Sequence, residues 1–406
     1  MTIANDRNRT VESEIGRIRM PSFTNVVSTL KPKERVWAFS FSRLCIEFCK
    51  DLSYRRAADL INTGLHRSEE DSIKVSTLVE FIERIGGEIQ DYLTDASETI
   101  LKDHPLDLKT IRTEGEPSIN ADVAEPEPTA EQKLWENEVA KKAEEINAHR
   151  EGEEQEQIKD LENLPHMESP QEKCCYISID DIGVKHQKET RKNGGSKSVK
   201  NVENTVIHIQ NGDESYYLTA FGMDKAFRML VAFLVANKLI IDYSLVFFAD
   251  GARNIKNNIE KYFSSRQYTL ILDWYHLKKK CKELISSALS GSKEQKKDYT
   301  QCLLRMLWVD NVKEAINYLN GLDKSKVKSS HWLEELTGYL ERKETQIVCY
   351  ALRHELGLRI SSNRVEKAND RLVAQRQKHS GMSWSFKGSS SLASISMIML
   401  NNETDR

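Results

Sequence analysis

Apolar positions recur every three or four residues through most of the stretch from 22 to 105, a spacing that predicts helices. One helix is expected over Lys33–Asp51, with Val36, Phe39, Leu44, Ile46 and Phe48 on its apolar face. A second is expected over Leu52–Arg67, with Leu52, Ala57, Leu60 and Ile61. A third begins at Lys74 and is expected to stop at Gly86 and Gly87, because glycine disfavours a continuing helix. The order of these pieces matches a helix-turn-helix, in which the second helix of the pair reads the major groove. Val75, Ser76 and Thr77 would open that reading helix. A helical bundle without DNA contact fits the same residues, since Asn62–Ser72 is longer than a tight turn.

After Lys173 the period changes from helical to strand-like. CCYISID, NTVIHIQ and SYYLTAF are β-branched runs of strand length, and NGDE joins the last two as a hairpin turn. An amphipathic helix, DKAFRMLVAFLVANK, follows. SLVFFAD and YTLILDWYH are then buried strands, each leading into a helix. The resulting order, β-β-β-α-β-α-β-α, describes a mixed α/β sheet. Residues 290–354 carry only helical patterning, and a last helix is expected over Asn363–Gln377. The stretch 106–173 is rich in Glu, Pro, Ala and Gln, so it reads as a linker holding one solvated helix from Glu131 to His149.

Charge sharpens this division. Between Glu114 and Glu172 stand 18 acidic and five basic residues, a net of −13 against −3 for the whole chain, which leaves +10 on the rest. A basic remainder suits a polyanionic partner. No apolar run approaches the ~18–20 residues of a membrane-spanning helix, and the opening MTIANDRNRT lacks the apolar core of a secretory signal. Seven cysteines without a CxxC pair argue against a disulfide framework and against a cysteine-rich zinc module. These features lead to the expectation of a cytoplasmic protein. The sequence contains no G-x-S-x-G, P-loop, G-x-G-x-x-G or HExxH.

Two expected strands end in acids, YISID at Asp180 and LVFFAD at Asp250. The carboxyl edge of an α/β sheet is where ligands usually bind. With a glutamate from a late helix, such acids would offer hard oxygen donors suited to Mg²⁺ or Mn²⁺. Two such ions ~3.5–4 Å apart can serve an in-line phosphoryl displacement.

IDDIGV, FFADGARNI, LDWYHL and above all SSNRVEKANDRLVAQRQKHSGMSWSFKG resemble the DDE transposases of bacterial insertion sequences, nearest the ISKra-type group and its Mutator-like and hAT-like relatives. The resemblance covers most of the chain from Tyr176 onward. It implies an α/β, ribonuclease-H-like catalytic domain with an all-helical insertion, preceded by a helical, helix-turn-helix-like domain. The family's two aspartates fall on Asp180 and Asp250 and its glutamate on Glu366, which together would hold two Mg²⁺ or Mn²⁺ ions. Where the family commonly has Gly after the first Asp, this chain has Asp181, leaving Asp181 as an alternative or extra ligand. The family's (Cys/Asp)-x-x-His element falls on Asp273 and His276; a structural Asp/His pair at a strand–helix junction fits those residues equally well. The implied layout is 1–105 helical and DNA-binding, 106–173 acidic linker, 174–289 and 355–406 the two parts of the catalytic domain, and 290–354 the insertion, where Trp308 and Trp332 either stack on a base or belong to the core.

Basic residues flank the expected acids. Lys185, Lys188, Arg191, Lys192, Lys197 and Lys200 follow the first strand, and Arg364, Lys367, Arg371, Arg376 and Lys378 surround Glu366. Arg364, Lys367 and Arg371 share a helical face suited to phosphates. The expected function is a transposase, a polynucleotidyl transferase that cuts and joins double-stranded DNA at transposon ends and target. It would act as a homo-oligomer, at least a dimer, in the bacterial cytoplasm and nucleoid, with no membrane partner. The alternative is a transposase-derived DNA-binding protein without strand transfer, serving a regulatory or structural role.

Overall fold

A computed structural model describes residues 8–13, 16–21, 36–103, 129–150, 156–159, 161, 164–187, 201–263, 268–378 and 382–401. Its centre is a five-stranded mixed sheet of β4 (Cys174–Lys185), β5 (Asn201–Asn211), β6 (Glu214–Ala220), β7 (Ser244–Ala249) and β8 (Tyr268–Leu272), ordered β6-β5-β4-β7-β8. The first three strands pair antiparallel, while β7 and β8 continue parallel to β4. A small sheet of β1 (Asn8–Ser13), β2 (Gly16–Pro21) and β3 (Val36–Trp37) precedes the helices.

The strand expected to stop at Asp180 does not. Ile182 and Val184 are buried in their turn, on the face opposite to that of Cys175, Ile177 and Ile179, and β5 pairs with β4 as far as Lys185. Only the parallel neighbour stops there, its last register pair being Ile179 with Ala249. Asp180 therefore sits where one side of β4 loses its partner, directly beside Asp250, the first residue after β7.

Helix α1 (Phe39–Asp51) begins later than its apolar pattern suggested, because Val36 and Trp37 pair with β1 as a short strand. Helix α2 (Tyr54–Gly64) is capped by Ser53, and the ten residues after it are held by Asn62, whose carboxamide clasps Ile73 through both its N–H and its C=O. Helix α3 (Val75–Asp103) runs straight through Gly86 and Gly87. Burial overrides the intrinsic cost of glycine here, since a Cβ at position 86 would overlap Ser391. Ser391 belongs to a C-terminal helix, Phe386–Leu400, for which its serine-rich sequence gave no helical expectation. Its buried serines let the helix lie close against α3. Phe41, Leu78 and Phe81 of the N-terminal helices, Leu392 and Ile395 of this last helix, and Ile177, Ile207 and Phe247 of the sheet belong to one continuous core.

The helix expected in the acidic stretch is present as α4 (Ala130–Arg150), but one side of it is docked and not solvated. Val139, Ala143 and Ile146 pack with Met167, Val309 and Leu352. Asn147 clasps Ile158 as Asn62 clasps Ile73, and the carboxylate of Glu168 takes a two-pronged bond from Arg353 at 2.9 and 3.1 Å, both side chains buried.

Two helices fill the crossovers of the parallel half, α5 (Met223–Ala236) and α6 (Arg253–Tyr262), and α7 (Trp274–Ala288) follows β8. The helical region that follows comprises α8 (Lys293–Trp308), α9 (Val312–Asn320), α10 (Ser330–Lys343) and α11 (Tyr350–Glu355), packed on α7 around Leu284, Leu307, Leu336 and Tyr350. Helix α12 (Asn363–Asn369) continues through a wider π turn at Asp370–Ala374 to Gln377, and α13 is the C-terminal Phe386–Leu400. Among the described residues no helix is long and apolar enough to cross a membrane.

Candidate active site

Asp180 and Asp250 meet because their strands are parallel neighbours in register. Burial and then the Asp250 charge push the Asp180 carboxyl up to about 6, against bonds that favour its ionised form. Those bonds come from the Asp181 N–H to Oδ1 at 2.9 Å and from the Asn369 amide to Oδ2 at 2.6 Å. Asp250 turns its Oδ1 onto the N–H of Ala252 at 2.7 Å. Gly251 between them adopts φ +89°, and a Cβ there would meet Leu272, Tyr339 and Lys343. An L side chain at this turn would be strained and crowded at once.

Asp273 is buried, and it ties two elements together. It caps α7, its Oδ1 accepting from the N–H of His276 at 2.9 Å and from His276 Nδ1 at 3.1 Å. Its Oδ2 accepts from the N–H and hydroxyl of Ser362, the residue that precedes α12. The first cause of a raised His276 pKa is this bond to Asp273, and the Asp250 and Asp180 charges add to it. His276 is thus within electrostatic reach of both acids. Asp273 also bears on the glutamate helix, since it fixes where α12 begins.

Glu366 lies on α12 and is exposed. It shares a helical face with Asn369, three residues on, so it sits one turn from the group that touches Asp180. Among the described residues no set of three His, Cys, Asp or Glu converges closely enough to hold a metal ion. The groups that do converge are the Asp180 and Asp250 carboxylates, with the Nδ2 of Asn369 on Asp180 while its Oδ1 is buried without a partner. Two like-charged carboxylates side by side are hard oxygen donors suited to a divalent cation, and turning the Asn369 carboxamide over would exchange its N–H for a third oxygen. Asn369 was not singled out from sequence, although its place in NRVEKAND, three residues after Glu366, carried the signal.

Asp181 projects to the other face of β4, as strand alternation requires. Thr205 at 2.6 Å and Asn254 at 3.1 Å hold it there. A cleft of about 350 Å³ beside Asp250 and His276 is lined also by Lys279, Lys280, Glu283 and Glu335. Lys343, buried at the foot of α10, has its pKa lowered by burial and by Lys256, with Asp250 opposing.

The basic residues divide. Lys185, Arg364, Lys367 and Arg371 are exposed, and Lys188, Arg191 and Lys192 lie outside the described residues, as do Lys197 and Lys200. Arg376 is buried, its Nε bonded to the Cys49 carbonyl and its guanidinium over Trp384, so it serves the core and not DNA. At the start of α3, Ser76 is exposed while Thr77 is buried, which leaves Ser76 with Lys74 and Val75 as the accessible side chains. Trp308 stacks on Tyr350 and packs on Trp274 as part of the core; Trp332 is 42% exposed.

The geometry defines a mixed α/β protein with an acidic pair at the carboxyl edge of its parallel strands. No family model, curated protein or solved structure matches the chain.

Proposed function

We propose that the protein is a DDE transposase with a ribonuclease-H-like catalytic core, cutting and joining DNA strands with divalent metal. The observation that carries this reading is the Asp180–Asp250 pair, set by register at the ends of adjacent parallel strands, with Asn369 reaching it from the helix that bears Glu366. The strand order, three antiparallel strands followed by two parallel ones with helical crossovers, agrees with such a core. In this reading Asp180 and Asp250 hold Mg²⁺ or Mn²⁺, and Glu366 joins them when DNA is seated. A bound cation pair would activate the attacking oxygen and neutralise charge on the leaving one. His276 donates to the phosphate backbone while Asp273 holds its ring, and exposed Arg364, Lys367 and Arg371 neutralise neighbouring phosphates.

The test uses the full chain with DNA containing the sequences that flank its gene. Asp180→Asn, Asp250→Asn and Glu366→Gln are expected to bind this DNA at least as well as wild type, since negative charge facing phosphate is removed, yet neither nick nor join it in Mg²⁺. A Glu366→Gln variant that still joins ends at near the wild-type rate would remove Glu366 from the site. Wild type that binds those ends without ever cutting them would favour the second reading, a DNA-binding regulator derived from a transposase; Glu366 standing exposed and outside ligand distance is the observation on that side.

A further inference from the structure

The face of the sheet that carries Asp180 also carries a cluster of opposite sign. Two guanidiniums, Arg359 from the loop before α12 and Arg364 from its first turn, both donate to one oxygen, Gln210 Oε1. That oxygen cannot turn away, because the Nε2 of the same carboxamide is engaged with the Gly212 carbonyl at 2.7 Å. Arg359 is half-buried, with its guanidinium 4.3 Å from the Tyr176 ring centroid. The nearby carboxylate of Glu168 is already taken by both prongs of Arg353, whose Nε bonds the Arg359 carbonyl. Besides burial, the charge that acts most on Arg359 is that of Arg364, and together they lower its pKa to about 10. Beneath them His208, 2% exposed, leaves Nδ1 with no partner. Burial and the two arginines depress His208 to about 4, so it stays neutral.

Two like charges held around one neutral acceptor repel each other, and a carboxamide oxygen balances neither. We infer that Arg359, Arg364 and Gln210 form a phosphate-binding site, with the solvent-facing side of Arg364 as its mouth, and that its occupant is a DNA backbone phosphate. Bidentate guanidinium forks match phosphate oxygens, and the fixed Gln210 sets the two forks at one point. In register, Tyr176 opposes Gln210 and Asp180 opposes Val206. Four residues at ~3.3 Å each place the site ~13 Å from Asp180 on the same face. The backbone winds around the axis as it rises ~3.4 Å per phosphate, so ~13 Å through space spans about two phosphates, and this anchor would grip the backbone about two phosphates from the acidic pair. The DNA occupant rests on the proposed transposase reading; the anion site itself does not.

The experiment uses the full chain and three variants, Gln210→Glu, Arg359→Gln and Arg364→Gln. Gln210→Glu supplies an internal anion of nearly the same shape and gives up the Nε2 bond to the Gly212 carbonyl, a loss that is the same with or without Arg364, so its effect on Tm is expected to be more favourable by about 2 °C or more in the wild-type background than in the Arg364→Gln background. Equal effects in the two backgrounds overturn the site. In the second arm, ~10 mM inorganic phosphate at matched ionic strength is expected to raise the Tm of wild type but not of any variant. The third arm is binding of random-sequence duplex against salt, where Gln210→Glu and Arg364→Gln should each lower the slope of log affinity by about 1. A phosphate response with an unchanged DNA slope would assign the site to a free phosphate and overturn the DNA occupant. A wild type that shows no phosphate response, together with variants whose DNA slopes equal the wild-type slope, would overturn the inference. Arg364→Gln alters an exposed side chain and keeps the test open if Arg359→Gln does not fold. Absence of strand cutting by wild type would defeat the transposase reading without touching the first two arms.

Discussion

One face of the sheet carries a pair of negative charges and, four residues along β4, a pair of positive ones, neither closed by a bonded counter-ion among the described residues. At the first end Asp180 and Asp250 share Asn369 and backbone N–H groups, with His276 within electrostatic reach. At the second, Arg359 and Arg364 share Gln210, and Arg359 lies over the Tyr176 ring. The buried Glu168–Arg353 pair nearby shows the other solution, two opposite charges closed on each other with both oxygens and both nitrogens used. The contrast separates charges closed within the fold from charges that lack a bonded partner of opposite sign, and it is the second kind that the proposals above assign to ligands.

The largest expected break is at the acidic end. Asp180→Asn should reduce metal-dependent nicking and joining below detection while making the metal-free protein melt higher at neutral pH. The variant removes a buried charge that faces a like one. A joint assay of strand cutting and thermal unfolding checks both signs, and lower stability with retained cutting would make Asp180 a structural residue. Asn369→Ala should act more weakly, reducing divalent-metal affinity by roughly 10–100-fold, read by calorimetric titration with Mn²⁺.

The closed pair should respond in the opposite sense. Glu168→Gln leaves Arg353 buried without its counter-ion and is expected to cost about 3–5 kcal/mol in chemical denaturation. Metal affinity and phosphate response should be unaltered in the population that stays folded.

A control without any charge change separates packing from electrostatics. Gly86→Ala drives a methyl group into Ser391 and is expected to destabilise by about 1–3 kcal/mol. Gly87→Ala has open space and should stabilise by roughly 0.5–1 kcal/mol through helix propensity. Equal effects at the two positions would mean that α3 and α13 do not pack as described.

The smallest effect concerns pH. His276 has its folded pKa raised, first by the bond to Asp273, so its contribution to stability is complete below the unfolded value of about 6.5 and is lost as pH rises through the folded one. The stability difference between wild type and His276→Gln should therefore shrink on raising pH from near 6 toward alkaline values. A difference independent of pH would show that the Asp273 bond does not favour the charged ring.

The five strands of the central sheet, the helices between them and the helical nature of residues 290–354 were legible in the sequence, because strand and helix periods differ and burial follows them. So was the pairing of acids at two strand positions, although β4 was expected to stop where only its parallel neighbour does. The C-terminal helix was not legible, since serine has no apolar signature and its burial depends on Gly86 across the interface. Nor was the docking of α4, whose few apolar positions gain meaning only against Leu352 and Val309. The residues of the acidic and basic ends are all visible in the chain, and local patterns place them on strands or helices. Which of them share a counter-charge is a property of register and of α12 crossing β4 and β5, which bring together groups up to 189 positions apart. Electrostatic interaction falls off with distance in space and not along the sequence, so it is the packing of the helices on the sheet that gives Glu168 a bonded counter-ion and leaves Arg359 and Asp180 hydrogen-bonded to neutral groups.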